Sequence, residues 1–448
     1  VGWPLATNFA VDAMTELDRP PVPDAARAAP ARRASPLPPG ALVIGIALAF
    51  QGLTTYAFLV IANHALAPKP YSAFSALWAL TFVAAPGLFL PLEQEVGRAA
   101  SARRVAGLGA GPVVRQALLL GAGLALGVIV LASAAEGPLV GTLFNGQGLL
   151  LAGFLVAMAV YALYYLSRGT LAGSARFGGY AAVLTIEGVV RIAAALVLLK
   201  AGVTNDGAYG LAISLPCLIG LAAVLPRQRG IAAPGPPARW SEMSAALGWL
   251  LAGALLAQAL TNVAPLAVKA LFSSGDPSAA GRVLNGLIVA RIPLFFFQAI
   301  QASLMPKLSA DATAGRLDDF RALLRRVLLL VALAVLVSVA GMALLGPPIL
   351  QILFHTSRPL ARGDLALLAL GSEGMMAAFA LAYACIALRG YRGATAGWVA
   401  GTVALVLALA VLPGSLVRVE IAFCVGVAVA CAVMGVGLRM RLRSQRSS

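Results

Sequence analysis

The chain has 448 residues, of which 60% are hydrophobic and 11% charged, with a mean hydropathy of +0.90. A water-soluble domain carries roughly 45–50% apolar and about a quarter charged residues, so these values exclude one. The net charge of +16 falls in short Lys/Arg clusters between apolar runs, the pattern of membrane orientation and not of a nucleic-acid face.

In chain order, residues 1–40 end in PPVPDAARAAPARRASPLPPG and show no apolar period, so they read as a disordered cytoplasmic tail. The run after Arg32 and Arg33 resembles a secretion signal only in its flank. It continues to about Leu66, contains Gln51 and Thr54 and lacks a cleavage site, so it reads as a retained first helix. Apolar spans follow at 41–66, 71–97, 112–135, 146–167, 178–200, 206–226, 243–272, 281–306, 323–346, 364–388, 395–412 and 416–438. Each is long enough to cross a ~30 Å hydrocarbon core as helix and too uniformly apolar for a barrel strand. The expected fold is therefore an all-α membrane protein of about 12 transmembrane helices.

Arg-rich segments alternate between the spans. With the N-terminus inside, about 24 Lys and Arg lie on the inner side against about six outside, which predicts that both termini are cytoplasmic. The second span ends in FLPLEQEVGRAASARR, where Glu95 and Arg98 have the spacing of a surface pair. Glu93 and Glu95 read as a solvated helix end, with a gate as the other reading. Tyr161, Tyr164 and Tyr165 read as an interfacial belt and not a sugar platform. Cys217, Cys385, Cys424 and Cys431 sit in apolar segments, and His64 and His355 are isolated in sequence. No metal or cofactor pattern, phosphate loop or nucleophile–histidine pair is present in the sequence, so no catalytic residues and no cofactor are expected.

The stretch RQRGIAAPGPPARW splits the spans six and six. An offset of 207 places QGLTT (51–55) over QALTN (258–262) and aligns Pro70 with Pro277, Pro86 with Pro293, Phe89 with Phe296 and Gln94 with Gln301. A duplication of six helices returns each half to the same side, so two lobes related by a pseudo-two-fold axis along the membrane normal are expected. The lobes would cover 41–226 and 243–438, joined by a cytoplasmic linker at 227–242 and followed by a basic tail at 439–448. Pro86 and Pro293 are expected to kink matching helices.

RGTLAGSARFGGY (168–180), RIPLFFFQAIQASLMPKLSADATAGRLDDFRALLRR (291–326) and LLGPPILQILF (344–354) resemble the polysaccharide flippase branch of the multidrug/oligosaccharidyl-lipid/polysaccharide exporter superfamily. The resemblance covers nearly everything after residue 40. It implies a V-shaped transporter in the bacterial cytoplasmic membrane that moves polyprenyl-diphosphate-linked sugars to the outer leaflet, with a polysaccharide polymerase or glycosyltransferases as partners.

Ionisable groups within spans need a partner or water. Gln258, Asn262, Pro265 and Lys269 form one stripe on the seventh helix, and Arg291, Gln298 and Gln301 share a face of the eighth. Arg291 and Lys269 are candidates to face an inter-lobe cavity and hold a diphosphate through charge-assisted contacts. The competing readings pair Arg291 with Glu373 or with carbonyls near Pro293, and let Lys269 snorkel outward. Gln51 and Thr54 give the first helix a weaker matching polar face. Glu187 and Arg191 are spaced as a helix ion pair, and with Glu373 they are the candidates for coupling. A cation-coupled multidrug exporter would be expected to carry an acid in the first helix, where this chain has only Gln51, Thr54, Thr55 and Asn63. A non-transporting scaffold for glycosyltransferases gains nothing from charges at mid-bilayer.

Overall fold

The computed structural model describes residues 40–243, 246–272, 275–356, 358–414 and 416–444. The expected N-terminal tail therefore lies outside the described residues. The first half holds α1 (Ala41–Ala65), α2 (Pro68–Val105), α3 (Gly111–Ala134), α4 (Gly148–Gly173) and α5 (Phe177–Lys200), then the paired short helices α6 (Asp206–Leu211) and α7 (Leu215–Val224). The second half holds α8 (Leu247–Phe272), α9 (Ala279–Ala290), α10 (Ile292–Thr313), α11 (Leu317–Phe354), α12 (Arg362–Ala387), α13 (Tyr391–Val411) and α14 (Leu416–Ser444). Among the described residues, 11 helical spans are long and apolar enough to cross a membrane. The shorter apolar α9, continued by α10, supplies a twelfth.

Sequence chemistry sets these boundaries. Pro68 and Pro112 occupy first-turn positions, where a missing N–H costs nothing. Asn205 caps α6 by accepting from the Gly207 and Ala208 amides at 2.8 and 3.4 Å. The eighth span breaks at Arg291 because Pro293 has no N–H for the Val289 carbonyl and its ring crowds that carbonyl. The duplicate Pro86 lies inside an uninterrupted α2, so the matching prolines differ: one interrupts its helix and the other does not.

The two halves repeat their packing. In the first, α1 lies on α5, α2 and α3 on α4, and α5 on α7. In the second, α8 lies on α13, α10 and α11 on α12, and α13 on α14. These are equivalent pairs in equivalent order, so the fold comprises two six-helix lobes. Closest contacts use glycine: a β-carbon at Gly169 of α4 would stand 2.4 Å from the Glu93 carbonyl of α2. Leu329, Leu333, Leu336 and Val337 on α11 are exposed, an apolar surface that only lipid or a partner helix would cover.

The lobes meet unevenly. At the end opposite the linker, buried α8 to α12 residues such as Ala264, Leu284, Met342, Leu350 and Leu365 join one apolar core with the first lobe. Towards the linker end, Leu304, Leu308, Phe320 and Leu324 belong to a core confined to the second lobe. There the lobes touch along α2 and α8, through Leu92, Val96, Met243 and Leu247.

Candidate functional site

A proline inside a transmembrane helix leaves the carbonyl four residues earlier without its helical donor, and hydrocarbon supplies no substitute. Pro265 in α8 does this to Thr261, and Pro86 in α2 does it to Phe82. Both freed carbonyls face one polar cluster. Arg291, at the break between α9 and α10, donates through Nη2 to the Thr261 carbonyl and through Nη1 to Asn262 Oδ1 at 3.1 Å. Asn262 Nδ2 reaches the Phe82 carbonyl at 3.4 Å and Gln258 Oε1 at 3.2 Å. Tyr56 of α1 lies within electrostatic range of both Arg291 and Glu373. The cluster thus draws on α1, α2, α8 and the α9–α10 break, at the seam between lobes.

Arg291 is half-buried, forms no ion pair among the described residues, and its Nε is buried without an acceptor there. A guanidinium cannot shed its proton, so this is a permanent charge with unused donors. The alternative that pairs it with Glu373 does not occur. Glu373 on α12 is fully buried; among the described residues it accepts from Ser338 Oγ at 3.3 Å.

Lys269, also buried, neither snorkels nor joins the Arg291 cluster. Its Nζ donates to Asn145 Oδ1 in the first lobe at 2.7 Å. Asn145 Nδ2 in turn donates to the Lys69 carbonyl at 3.1 Å. Tyr71 Oη donates to Asn285 Oδ1 at 2.7 Å beside it. These contacts close the seam at the end opposite the linker.

Gln51 and Thr54 turn into the first lobe. Gln51 Nε2 donates to Glu187 Oε2 at 2.7 Å and to Tyr164 Oη at 3.0 Å. Thr54 Oγ1 is occupied by the Phe50 and Gln51 carbonyls at 3.1 and 3.0 Å. Glu187 and Arg191 form their expected ion pair, fully buried, with Arg191 Nη1 also on Thr55 Oγ1 at 2.7 Å. Gln298 and Gln301 lie on α10, but their side chains are outside the described residues.

Two expectations about the second and fourth spans are corrected. Glu93 and Glu95 are not a solvated end: both are buried, at 7% and 5% exposure. Glu95 pairs with Arg98. Glu93 pairs with Arg168 at 3.2 Å and accepts from Tyr180 Oη at 2.8 Å. The three tyrosines are not an interfacial belt either. They are buried, and the Arg168 guanidinium stacks over Tyr164, Tyr165 and Tyr180 at 5.0–5.2 Å. The reason is helix length: α4 runs to Gly173, so Arg168 is intrahelical and the tyrosines lie more than a turn deeper than a span ending at 167 would put them.

At the linker end, Glu242 accepts from Arg103 Nε and Nη2 at 2.7 and 3.0 Å. The Arg103 guanidinium and the Arg239 amide hold its carboxyl down at about 2. Sequence reading missed Asn145, Tyr71, Asn285, Arg168 and Glu242. The signal for Arg168 was present in the aromatic run YALYYLSR just before it; Asn145, Asn285 and Glu242 carry no local signal.

No protein-family model and no curated protein sequence matches the chain. Among solved structures it is similar to a mutant of the Vibrio cholerae MATE transporter VcmN, with 18% identity, coverage of 90% of this chain and 97% of that chain, and a TM-score of 0.63. It is similar to an inward-facing multidrug resistance MATE family transporter of the MOP superfamily, at 14% identity, 91% and 99% coverage and a TM-score of 0.66. An outward-facing MATE structure matches at 14% identity, 91% and 96% coverage and a TM-score of 0.61. The chain has the MATE-transporter fold. Within that fold, the Arg291 cluster lies where the two lobes face each other, and the MATE-like lobes here are fused at the end away from the linker.

Proposed function

We propose that the chain is a MOP-superfamily membrane transporter that flips a polyprenyl-diphosphate-linked oligosaccharide across the bacterial cytoplasmic membrane by alternating access between its lobes. The observation that carries this reading is Arg291, a permanent cation at the lobe seam with no acid partner among the described residues and a buried unused Nε. Such a group favours an anionic ligand, and guanidinium geometry suits diphosphate oxygens. The clustering of Lys and Arg on the linker side supports a cytoplasmic linker and cytoplasmic termini. Lobes joined at the opposite end would then be open inward, the state in which a precursor made on the cytoplasmic leaflet enters.

A second reading, a cation-coupled multidrug exporter, is favoured by the similarity to MATE structures. Against it, α1 carries no acid, and Glu187 is already neutralised by Arg191.

The test is flipping of a fluorescent prenyl-diphosphate saccharide in proteoliposomes. Loss of a charge-assisted contact worth about 1.5–3 kcal/mol lowers flipping about tenfold to a hundredfold in Arg291→Ala. That variant also strands the Thr261 carbonyl. Adding Pro265→Ala returns an N–H to it, so the pair of variants separates the charge from the helix repair. Unchanged flipping in a correctly inserted Arg291→Ala protein refutes the proposal, and transport of a lipophilic cation without flipping establishes the second reading.

A further inference from the structure

The chain contains only two histidines, 291 positions apart, and they meet. His64, in the last turn of α1, and His355, just past the end of α11, belong to different lobes, and His64 Nε2 stands 2.7 Å from His355 Nδ1. Their ring centroids are 4.8 Å apart with planes at 74°, and both residues are exposed. The His64 Nδ1–H donates to the Val60 carbonyl at 2.8 Å, which fixes the tautomer and leaves the Nε2 lone pair pointing at its partner. A ring nitrogen tied to a backbone carbonyl, with the other free, is the usual arrangement of a metal-ligating imidazole. His355 is held at φ +47°, a left-handed conformation that costs a β-carbon residue about 1–2 kcal/mol, and it is in this conformation that it meets His64.

We propose that His64 and His355 form a two-imidazole site for a first-row divalent cation of the Cu²⁺, Ni²⁺ or Zn²⁺ type, bridging the lobes at the end opposite the linker. Two nitrogens each about 2.0–2.1 Å from an ion in tetrahedral geometry stand roughly 3.3 Å apart. The present separation therefore opens by about half an ångström, which two exposed side chains at helix ends can supply. His355 moves its proton from Nδ1 to Nε2, and water completes the coordination. No third His, Cys, Asp or Glu joins the pair among the described residues, so the site selects ions that favour imidazole and excludes oxygen-seeking Mg²⁺ and Ca²⁺. Because each lobe provides one ligand, a bound ion ties the lobes together, independently of what the protein transports.

The experiment uses the tag-free full-length protein in detergent, titrated with Ni²⁺ by calorimetry and loaded with Cu²⁺ for electron paramagnetic resonance. One ion per chain is expected, with a two-nitrogen hyperfine pattern. His64→Ala and His355→Ala should each weaken binding about tenfold or more, since even a lost supporting contact costs that much, and each should remove the two-nitrogen pattern. Mg²⁺ should give no saturable heat. Binding that survives the loss of either histidine, or that matches the double alanine variant, overturns the proposal; both residues are exposed, so the variants fold.

Discussion

The Glu93–Arg168 pair offers the sharpest test of how the first lobe is held together. Both side chains are buried, and the charged atoms stand 3.2 Å apart. At an effective dielectric constant of about 20, Coulomb attraction at that distance is about 5 kcal/mol, and removing one partner of such a pair typically costs about 3–5 kcal/mol. In Arg168→Ala, Glu93 keeps the Tyr180 hydroxyl and loses its countercharge, while Tyr164, Tyr165 and Tyr180 lose their stacked guanidinium. Removing both charges as Glu93→Leu with Arg168→Met leaves no stranded ion and keeps most of the volume. Thermal unfolding in detergent should therefore rank wild type and the double variant close together, with Arg168→Ala well below both. The coupling between the two sites should be at least about 2 kcal/mol. A double variant as unstable as the single one would show that shape, and not charge pairing, sets the cost, and the reasoning would fail.

Glu242→Gln should loosen the linker at neutral pH, measured as faster proteolysis between α7 and α8. Because the Glu242 carboxyl is held at about 2, below its ordinary 4.5, its stabilisation is present above about pH 4.5 and is lost as pH falls towards 2; acidification should accelerate cleavage of wild type towards the Gln variant's rate. Gly169→Ala places a β-carbon 2.4 Å from the Glu93 carbonyl, so α2 and α4 must separate, and thermal stability should fall by about 1–3 kcal/mol. Lys269→Met removes a buried ammonium whose described partner is the neutral Asn145; stability should rise, and under the proposed function flipping should fall, the pattern expected of a charge kept for activity and not for folding.

Much of the architecture could be read from the chain because a bilayer imposes a simple rule: long apolar runs, interrupted by basic clusters, become helices. The repeat at QGLTT and QALTN has its counterpart in equivalent helix pairings, and Glu187 with Arg191 needed only helical spacing. What could not be read was depth. Charge marks a helix end unless something across the lobe neutralises it, and the partner that buries Glu93, Arg168, is 75 positions away in sequence. The break at Arg291 was written in R-I-P, yet the duplicated Pro86 sits in an unbroken helix, so proline alone does not decide. The partner of Lys269 was illegible for another reason: Asn145 reaches it only through a turn with positive φ, at 52°, on the opposite lobe.

The two lobes treat buried charge differently, and this bears on mechanism. In the first lobe, Glu187 is closed by Arg191 and Gln51, and Glu93 by Arg168 and Tyr180. In the second, the partner of Glu373 among the described residues is a serine hydroxyl, and Glu420, fully buried, lies against Asp364, another acid. Arg291 and Lys269 there have amide and carbonyl partners in place of carboxylates. An ion pair satisfied within one lobe moves with it as a rigid body and is indifferent to the state of the seam. A charge without a countercharge, by contrast, needs a backbone carbonyl, water or a ligand in its place. Under the alternating access proposed above, these first-lobe pairs would travel with their own lobe, and the second lobe, whose core separates from the first towards the linker end, holds the groups whose surroundings would change.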